Sequence, residues 1–364
     1  MKLNRYIAIA AAVLALGSCA KWTVQEPVEV LYPSLKDKNP ELYAKYMESV
    51  RDYRASEHQV LIAKFDNKPG VPAGRADHID CLPDSVDFVI LNNPLAVSAS
   101  IAGEMASIRE GKAVKTLMDI SYDALVKDWE ALLADEAAEK EAEWEALSDE
   151  EKAARKEAYD NDSRGVDDQS RFLTFVHEQL TAFFSAVEAC GFDGVNAQFT
   201  GRNPASLNDG QKSALQERYD AFFNPVIAWA EGKVLFFEGN PKNVLSASGI
   251  LEKALYIILP CENELTVTGF NYALNQVLAK GVPTDKFIIG VTALDVTDET
   301  ATAGLFTGES SAIVGAARWA VTPDSRVTKK GICVNHAQFD YYNIQHVYSQ
   351  IGAAISIMNP SPVK

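Results

Sequence analysis

The stretch Ala189-Cys190-Gly191-Phe192-Asp193-Gly194-Val195-Asn196-Ala197-Gln198-Phe199-Thr200 decides the fold. Before it, Phe172, Phe175, Val176, Leu180, Phe183, Phe184 and Val187 recur at helical spacing within 166–190, the apolar stripe of a helix that packs on a core. His177 and Glu178 fall among them and read as polar helix positions. The quoted residues then form a strand over 192–199. Strand side chains alternate between faces, which puts Asn196, Gln198 and Thr200 on one side. At its plainest this is one helix leading into one strand, with Asp193 as the turn residue between them.

The same unit recurs outward in both directions. β-Branched or aromatic runs, each followed by a helical pattern, occupy 58–65, 86–91, 113–120, 192–199, 233–237, 254–259, 286–291 and 331–335. Val60-Leu61-Ile62-Ala63, Phe88-Val89-Ile90-Leu91, Tyr256-Ile257-Ile258-Leu259 and Phe287-Ile288-Ile289-Gly290 are almost wholly apolar, as strands of a parallel sheet covered on both faces must be. A doubly wound open sheet would share this alternation, but no G-x-G-x-x-G turn follows the first strand. The reading is therefore an α/β fold, a (β/α)8 TIM barrel over 57–364, with a charged helical insertion after strand 3.

In such a barrel the residues just past the strands converge on one mouth. Here the candidate substrate-binding set is Asp66, Asn92, Tyr122, Asn196, Gln198, Glu238, Glu262, Asp295, Gln338 and Tyr341. Tyr342 joins Tyr122 and Tyr341 as a possible stacking ring. The acidic residues among them would otherwise cap the helices that follow.

The insertion, 124–163, is dense in Ala, Glu and Lys, with Trp129 and Trp144 embedded, and reads as a helical hairpin. Ser148 with Glu151 fits a capping box, and Glu136/Lys140 and Glu151/Arg155 sit one turn apart as helix-supporting pairs. A charge run of this kind is ordinarily a solvated face; the functional alternatives are a lid or a docking arm.

Residues 1–18 carry two basic side chains and then an apolar run too short for a permanent membrane helix, ending in Leu16-Gly17-Ser18-Cys19. This resembles a bacterial lipoprotein signal peptide with Cys19 as the lipidated residue. Residues 19–56 are then a tether and lead-in, and the expected location is the outer membrane, at its surface or periplasmic face. Ala20-Lys21-Trp22 brings no acidic cluster, so the leaflet stays open. The formal net charge of -16 argues against nucleic acid and anionic surfaces, which require a basic face. Cys81, Cys190, Cys261 and Cys333 lie far apart and form no metal-binding spacing, so no metal or other cofactor is called for. They read as buried apolar residues, with disulfides open in an oxidising compartment.

The quoted stretch resembles the fourth-strand signature D-G-x-D-x-D-x-E of glycoside hydrolase family 18, the chitinases and endo-β-N-acetylglucosaminidases. Asp193 and Gly194 match. Asn196, Gln198 and Thr200 stand where the signature has Asp, Asp and Glu. In that family the glutamate protonates the leaving oxygen, and the preceding aspartate orients the substrate N-acetyl group that acts as nucleophile. None of the three residues here can donate a proton as an acid, a contribution worth ~10²–10⁴-fold in rate. The sixth strand also departs, ending Leu259-Pro260-Cys261 where active members place a tyrosine or glutamine. Among such barrels the chain is most similar to lipoproteins that Bacteroidetes encode beside glycan-uptake outer-membrane transporters. Some of those cut N-linked glycans, and others with degenerate motifs bind without cutting.

The resemblance implies a cell-envelope pseudoenzyme that binds N-acetylglucosamine-containing glycans for uptake, alongside a TonB-dependent transporter complex. Two other readings stay open. One is a hydrolase with relocated carboxylates, Glu238 and Glu262, if these lie ~5–9 Å apart. The other is a docking subunit that makes contact through the acidic hairpin around Trp144.

Overall fold

The computed structural model describes residues 35–70, 72–309, 311–342 and 346–360. The signal segment, Cys19 and the following tether lie outside the described residues. The described residues fall into two units, 35–48 and the chain from Ser49 onward, and the second carries the barrel. Among the described residues no helix is long and apolar enough to cross a membrane.

Eight parallel strands close into a barrel in sequence order: β1 (Val60–Phe65), β2 (Phe88–Leu91), β3 (Lys115–Ser121), β4 (Gly194–Phe199), β5 (Val234–Gly239), β6 (Tyr256–Pro260), β7 (Phe287–Thr292) and β8 (Lys329–Asn335). β8 pairs back onto β1 with Gly331 opposite Val60. Around them run α1 (Ala99–Lys112), α2 (Tyr122–Glu145), α3 (Asp149–Asp160), α4 (Gln169–Val187), α5 (Asp209–Trp229), α6 (Ile250–Lys253), α7 (Val267–Val277), α8 (Ala312–Val321) and α9 (Ser349–Met358). The first connection departs from expectation. Among the described residues between β1 and β2 only 3-10 turns form, Arg75–Asp77 and Ile79–Cys81. Pro69, Gly70, Pro72 and Gly74 break any longer helical run there.

The period of the strands sorts the barrel interior into layers. Val60, Ile62, Ile90, Leu117, Val234, Phe236, Ile258, Ile288 and Cys333 pack together as an apolar plug, with Phe88 and Tyr256 against it. Two residues further along β1, β3, β4 and β5, the same inward phase carries Lys64, Asp119, Asn196 and Glu238. The apolar bottom thus gives way to a polar upper half. Outside the strands a larger core joins barrel to helices, with Phe172, Val176 and Leu180 of α4 buried in it and His177 exposed.

The insertion is a helical hairpin, α2 and α3. Ser121 caps α2, and Ser148 with Glu151 forms the expected capping box of α3. The expected one-turn pairs are replaced. Glu136 reaches across to Arg171 at 2.6 Å and accepts the Gly165 N–H, Lys140 donates to the Asp162 carbonyl, and Glu151 serves the cap. A backbone donor already fixed in position, or a bidentate guanidinium, outcompetes a long solvated side chain one turn away. Trp144 stacks on Tyr159 with centroids 4.1 Å apart, while Trp129 is buried and donates to Asp167. All four described cysteines carry free thiols; Cys261 and Cys333 are buried, and Cys81 and Cys190 half-buried.

Candidate functional site

The lower polar layer is built around Lys64. Its ammonium lies 2.8 Å from Glu238 Oε2 and 3.2 Å from Asp119 Oδ2. Asn196 Nδ2 donates to Asp119 Oδ1 at 2.8 Å and also to Glu238, and Gln198 Nε2 donates to Asp119 Oδ2 at 2.6 Å. Burial disfavours charge on Lys64, but Glu238 and Asp119 outweigh it and hold the ammonium above the usual lysine range. Asp119 moves the other way for a carboxylate. Burial, together with repulsion from Glu238, pushes it up to about 6 against the pull of Lys64. The Oδ1 of Asn196, fully buried, has no partner.

The upper layer centres on Asp66, just past β1. Its carboxylate accepts from Asn92 Nδ2 at 2.7 Å, from Gln338 Nε2 at 2.6 Å and from the ring of His336. Burial works to raise Asp66, and these hydrogen bonds outweigh it and bring it down to about 2. The same bond raises His336 above the usual histidine value. His336 takes a left-handed backbone conformation, φ 51°, and stacks on Phe339. Held there without a glycine, it keeps its other ring nitrogen free of this bond and the ring 38% exposed at the mouth. Asn335 links the layer to β6 by donating to Glu262 Oε1 at 2.8 Å, and Asn92 Oδ1 is a second buried acceptor without a partner.

The structure brings Asp66, Asn92, Asn196, Gln198, Glu238, Glu262 and Gln338 into these two networks. Glu238, expected at the mouth, lies a layer deeper and is 7% exposed, because its strand phase points it at the axis beside Lys64. Tyr122 and Tyr341 are corrections. Tyr122 opens α2, so its ring turns into the layer between helix and barrel, 4% exposed against Phe199, Tyr219 and Phe222. Tyr341 is 8% exposed, its hydroxyl accepting from Arg75 and its ring against Tyr348. Tyr342 is the exposed ring of that pair. Asp295 spends its carboxylate on Thr297, two residues on, and is a turn residue.

Asp193 is not at the mouth at all. At the start of β4 it holds Arg109 Nε at 2.6 Å and the Thr116 N–H at 2.9 Å. Gly194 is required by close approach, since a Cβ there would stand 2.2 Å from the Val234 carbonyl oxygen. Thr200 is exposed; its backbone N–H donates to Asp123 and its carbonyl accepts from Asn243. Lys64, Asp119, Asn335 and His336 were absent from the expected set. Lys64 and Asp119 sit inside otherwise apolar strands, in phase with Asp66 and Ser121, a signal that was present in the sequence. Among the described residues His78, Asp80 and Glu104 could converge on a cation, but His78 and the Ile79 N–H already occupy the Glu104 carboxylate.

Residues 23–357 match the family described as glycoside hydrolase family 18, BT1044-like. The chain belongs to glycoside hydrolase family 18. Its barrel is similar to that of a glutamate-to-glutamine variant of BT1044, at 18% identity over 90% of this chain and 96% of that one, with a TM-score of 0.56. This is a likeness of fold. A family 18 chitinase from Pseudoalteromonas aurantia aligns at 11% identity over 82% of this chain and 100% of its own, TM-score 0.48. Human YKL-39, described as a pseudo-chitinase with retained chitooligosaccharide binding, aligns at 10% identity over 82% and 99%, TM-score 0.44. No curated protein matches the chain. Against the family signature, Asp193 and Gly194 are the positions kept, and Asn196, Gln198 and Thr200 are the positions changed.

Proposed function

We propose that this family 18 barrel binds N-acetylglucosamine-containing glycans without cutting them, as an exported lipoprotein anchored through Cys19 at the outer membrane and working beside a TonB-dependent glycan transporter. The observation that carries this reading is the pairing state of the mouth. Asp66, Asp119, Glu238 and Glu262 each already accept from a cation or an amide. The strand-four position of the family's proton donor is the exposed Thr200. The polar side chains nearest the opening, Asp66, Asn92, Gln198, Glu262, His336 and Gln338, supply spaced donors and acceptors for sugar hydroxyls and an N-acetyl group. Acid catalysis needs a proton held at the leaving oxygen; binding needs spaced donors and acceptors with an exposed ring, here Tyr342 and His336.

One observation favours a hydrolytic alternative. Asp119, raised to about 6, is a carboxyl whose proton would be available near neutral pH. Both its oxygens are, however, engaged by Lys64, Asn196 and Gln198. Calorimetric titration with chitobiose and with a high-mannose N-glycan tests the proposal. Saturable binding is expected, weakened about tenfold or more in Gln198→Ala; absence of binding to every N-acetylglucosamine glycan would end it.

A further inference from the structure

The base of the barrel, opposite the mouth, holds a histidine caught between two acceptors. His58 stands just before β1 with its side chain 9% exposed. Its Nδ1 lies 2.8 Å from the Ser56 carbonyl oxygen and its Nε2 2.9 Å from Asp87 Oδ1. The carbonyl can only accept, and Asp87, 3% exposed, is held as an acceptor too: its Oδ2 takes the Leu61 N–H at 2.9 Å and its Oδ1 faces Arg54 Nε at 3.6 Å. A neutral imidazole has one N–H and one lone pair and satisfies only one of the two contacts, whereas the imidazolium donates to both. Arg54 donates in turn to the carbonyls of Asp84, Val86 and Lys112. The Tyr53 ring, its hydroxyl pushed by burial up to about 12, lies 4.3 Å from that of His58. Across the base, Glu57, Glu252, Asp285, Lys253, Lys286 and Lys330 share a cavity of about 700 Å³ with His58, which gives its proton a route to solvent. Lys286 is committed there to the carbonyls of Leu251, Glu252 and Ala254.

We infer that His58 is a proton-operated latch: as the imidazolium it ties residues 53–58, the chain entering β1, to the base of the barrel, and on losing a proton it lets them go. The bond to Asp87 raises His58 above the usual histidine value against the cost of burial. A group raised on folding contributes stability that is whole below its unfolded value, about 6.5 here, and lost as pH rises through the folded one. The latch therefore opens with rising pH. The opening is local, because β1 stays paired with β2 and β8. Since residues 53–58 are the covalent path into the barrel, the latch governs how firmly the barrel holds the incoming chain. It operates whatever the mouth binds.

Two measurements on the mature protein test this. In nitrogen-15 NMR of the histidine rings, with His58 assigned through its contact with the Tyr53 ring, both of its nitrogens should be protonated at pH 6 and one should lose its proton at higher pH. Hydrogen exchange read by mass spectrometry from pH 6 to 9, corrected for the intrinsic rate, follows the amides of Gln59 and Leu61, which donate to Asn359 and Asp87. Their protection should fall about tenfold with that deprotonation, the loss of one hydrogen bond between charged groups, while peptides of β4 and β7 keep theirs. His58→Gln should remove the pH dependence, and Asp87→Asn should bring the His58 titration down. A His58 ring with one protonated nitrogen at pH 6 would overturn the inference. Flat exchange at Gln59 and Leu61 across this range would overturn it too, as would a pH dependence that survives in His58→Gln.

Discussion

Strand β4 has two ends that differ in kind. At the bottom, Asp193 and Gly194, the residues that match the family signature, do structural work: one ties Arg109 and the Thr116 amide to the strand, and the other makes room for the Val234 carbonyl. At the mouth, Asn196, Gln198 and Thr200 stand where the signature has carboxylic acids. The two positions kept serve packing at the base of the barrel, and the three changed are those where the family signature carries acids. Acidic groups persist nearby on β3 and β5, as Asp119 and Glu238, and with Lys64 between them they form a buried cluster of one cation and two carboxyl groups.

That cluster offers the hardest way to break the comparison. In Lys64→Met, Asp119 and Glu238 would be buried together without a countercharge, and a loss of roughly 3–5 kcal/mol is expected, read as a lower denaturant midpoint. Wild-type stability in this variant would mean that the upper half of the barrel is not held by charge. At the bottom, Asp193→Ala should cost ~1–3 kcal/mol by stranding the Arg109 guanidinium and the Thr116 amide. Thr200→Ala, at the other end of the same strand, should stay within ~0.5 kcal/mol of wild type. Similar losses at both ends would erase the distinction.

The pH dependence sharpens it further. Asp66, lowered to about 2, contributes stability that is present above its unfolded value and lost as pH falls from about 4 toward 2, an amount of about 2 kcal/mol. Asp119, raised to about 6, does the reverse: its contribution is present below the unfolded value and lost as pH rises from about 4 through 6. Stability measured across pH 2–7 should therefore peak near pH 4 from this pair, with Asp66→Asn flattening the acid limb and Asp119→Asn the descent above it. An unchanged profile in Asp119→Asn would show that its carboxyl is not strained by burial.

Most of the barrel was legible in the sequence because its strands are buried on both faces and so read as apolar runs; the first four begin two residues later than the runs themselves. The connection after β1 was misjudged where Pro69, Gly70, Pro72 and Gly74 outweigh any helical pattern. In the site, Asp66, Asn92, Gln198, Glu262 and Gln338 were legible from their place at strand ends. Tyr122 and Tyr341 were not, since position past a strand says nothing of which way a ring turns, and large rings gain more from burial. Lys64 and Asp119 were hidden by the apolar runs around them, although their phase along the strand pointed to the axis. His336 depends on a backbone twist that no residue pattern announces.

The most direct measurement of the account is mass spectrometry of a high-mannose glycoprotein incubated with the mature protein at pH 5 and pH 7, alongside calorimetry on the released glycan. The account predicts saturable binding and no released product at either pH. Product that appears with the wild type and disappears in Asp119→Asn would contradict it and place a working acid on β3.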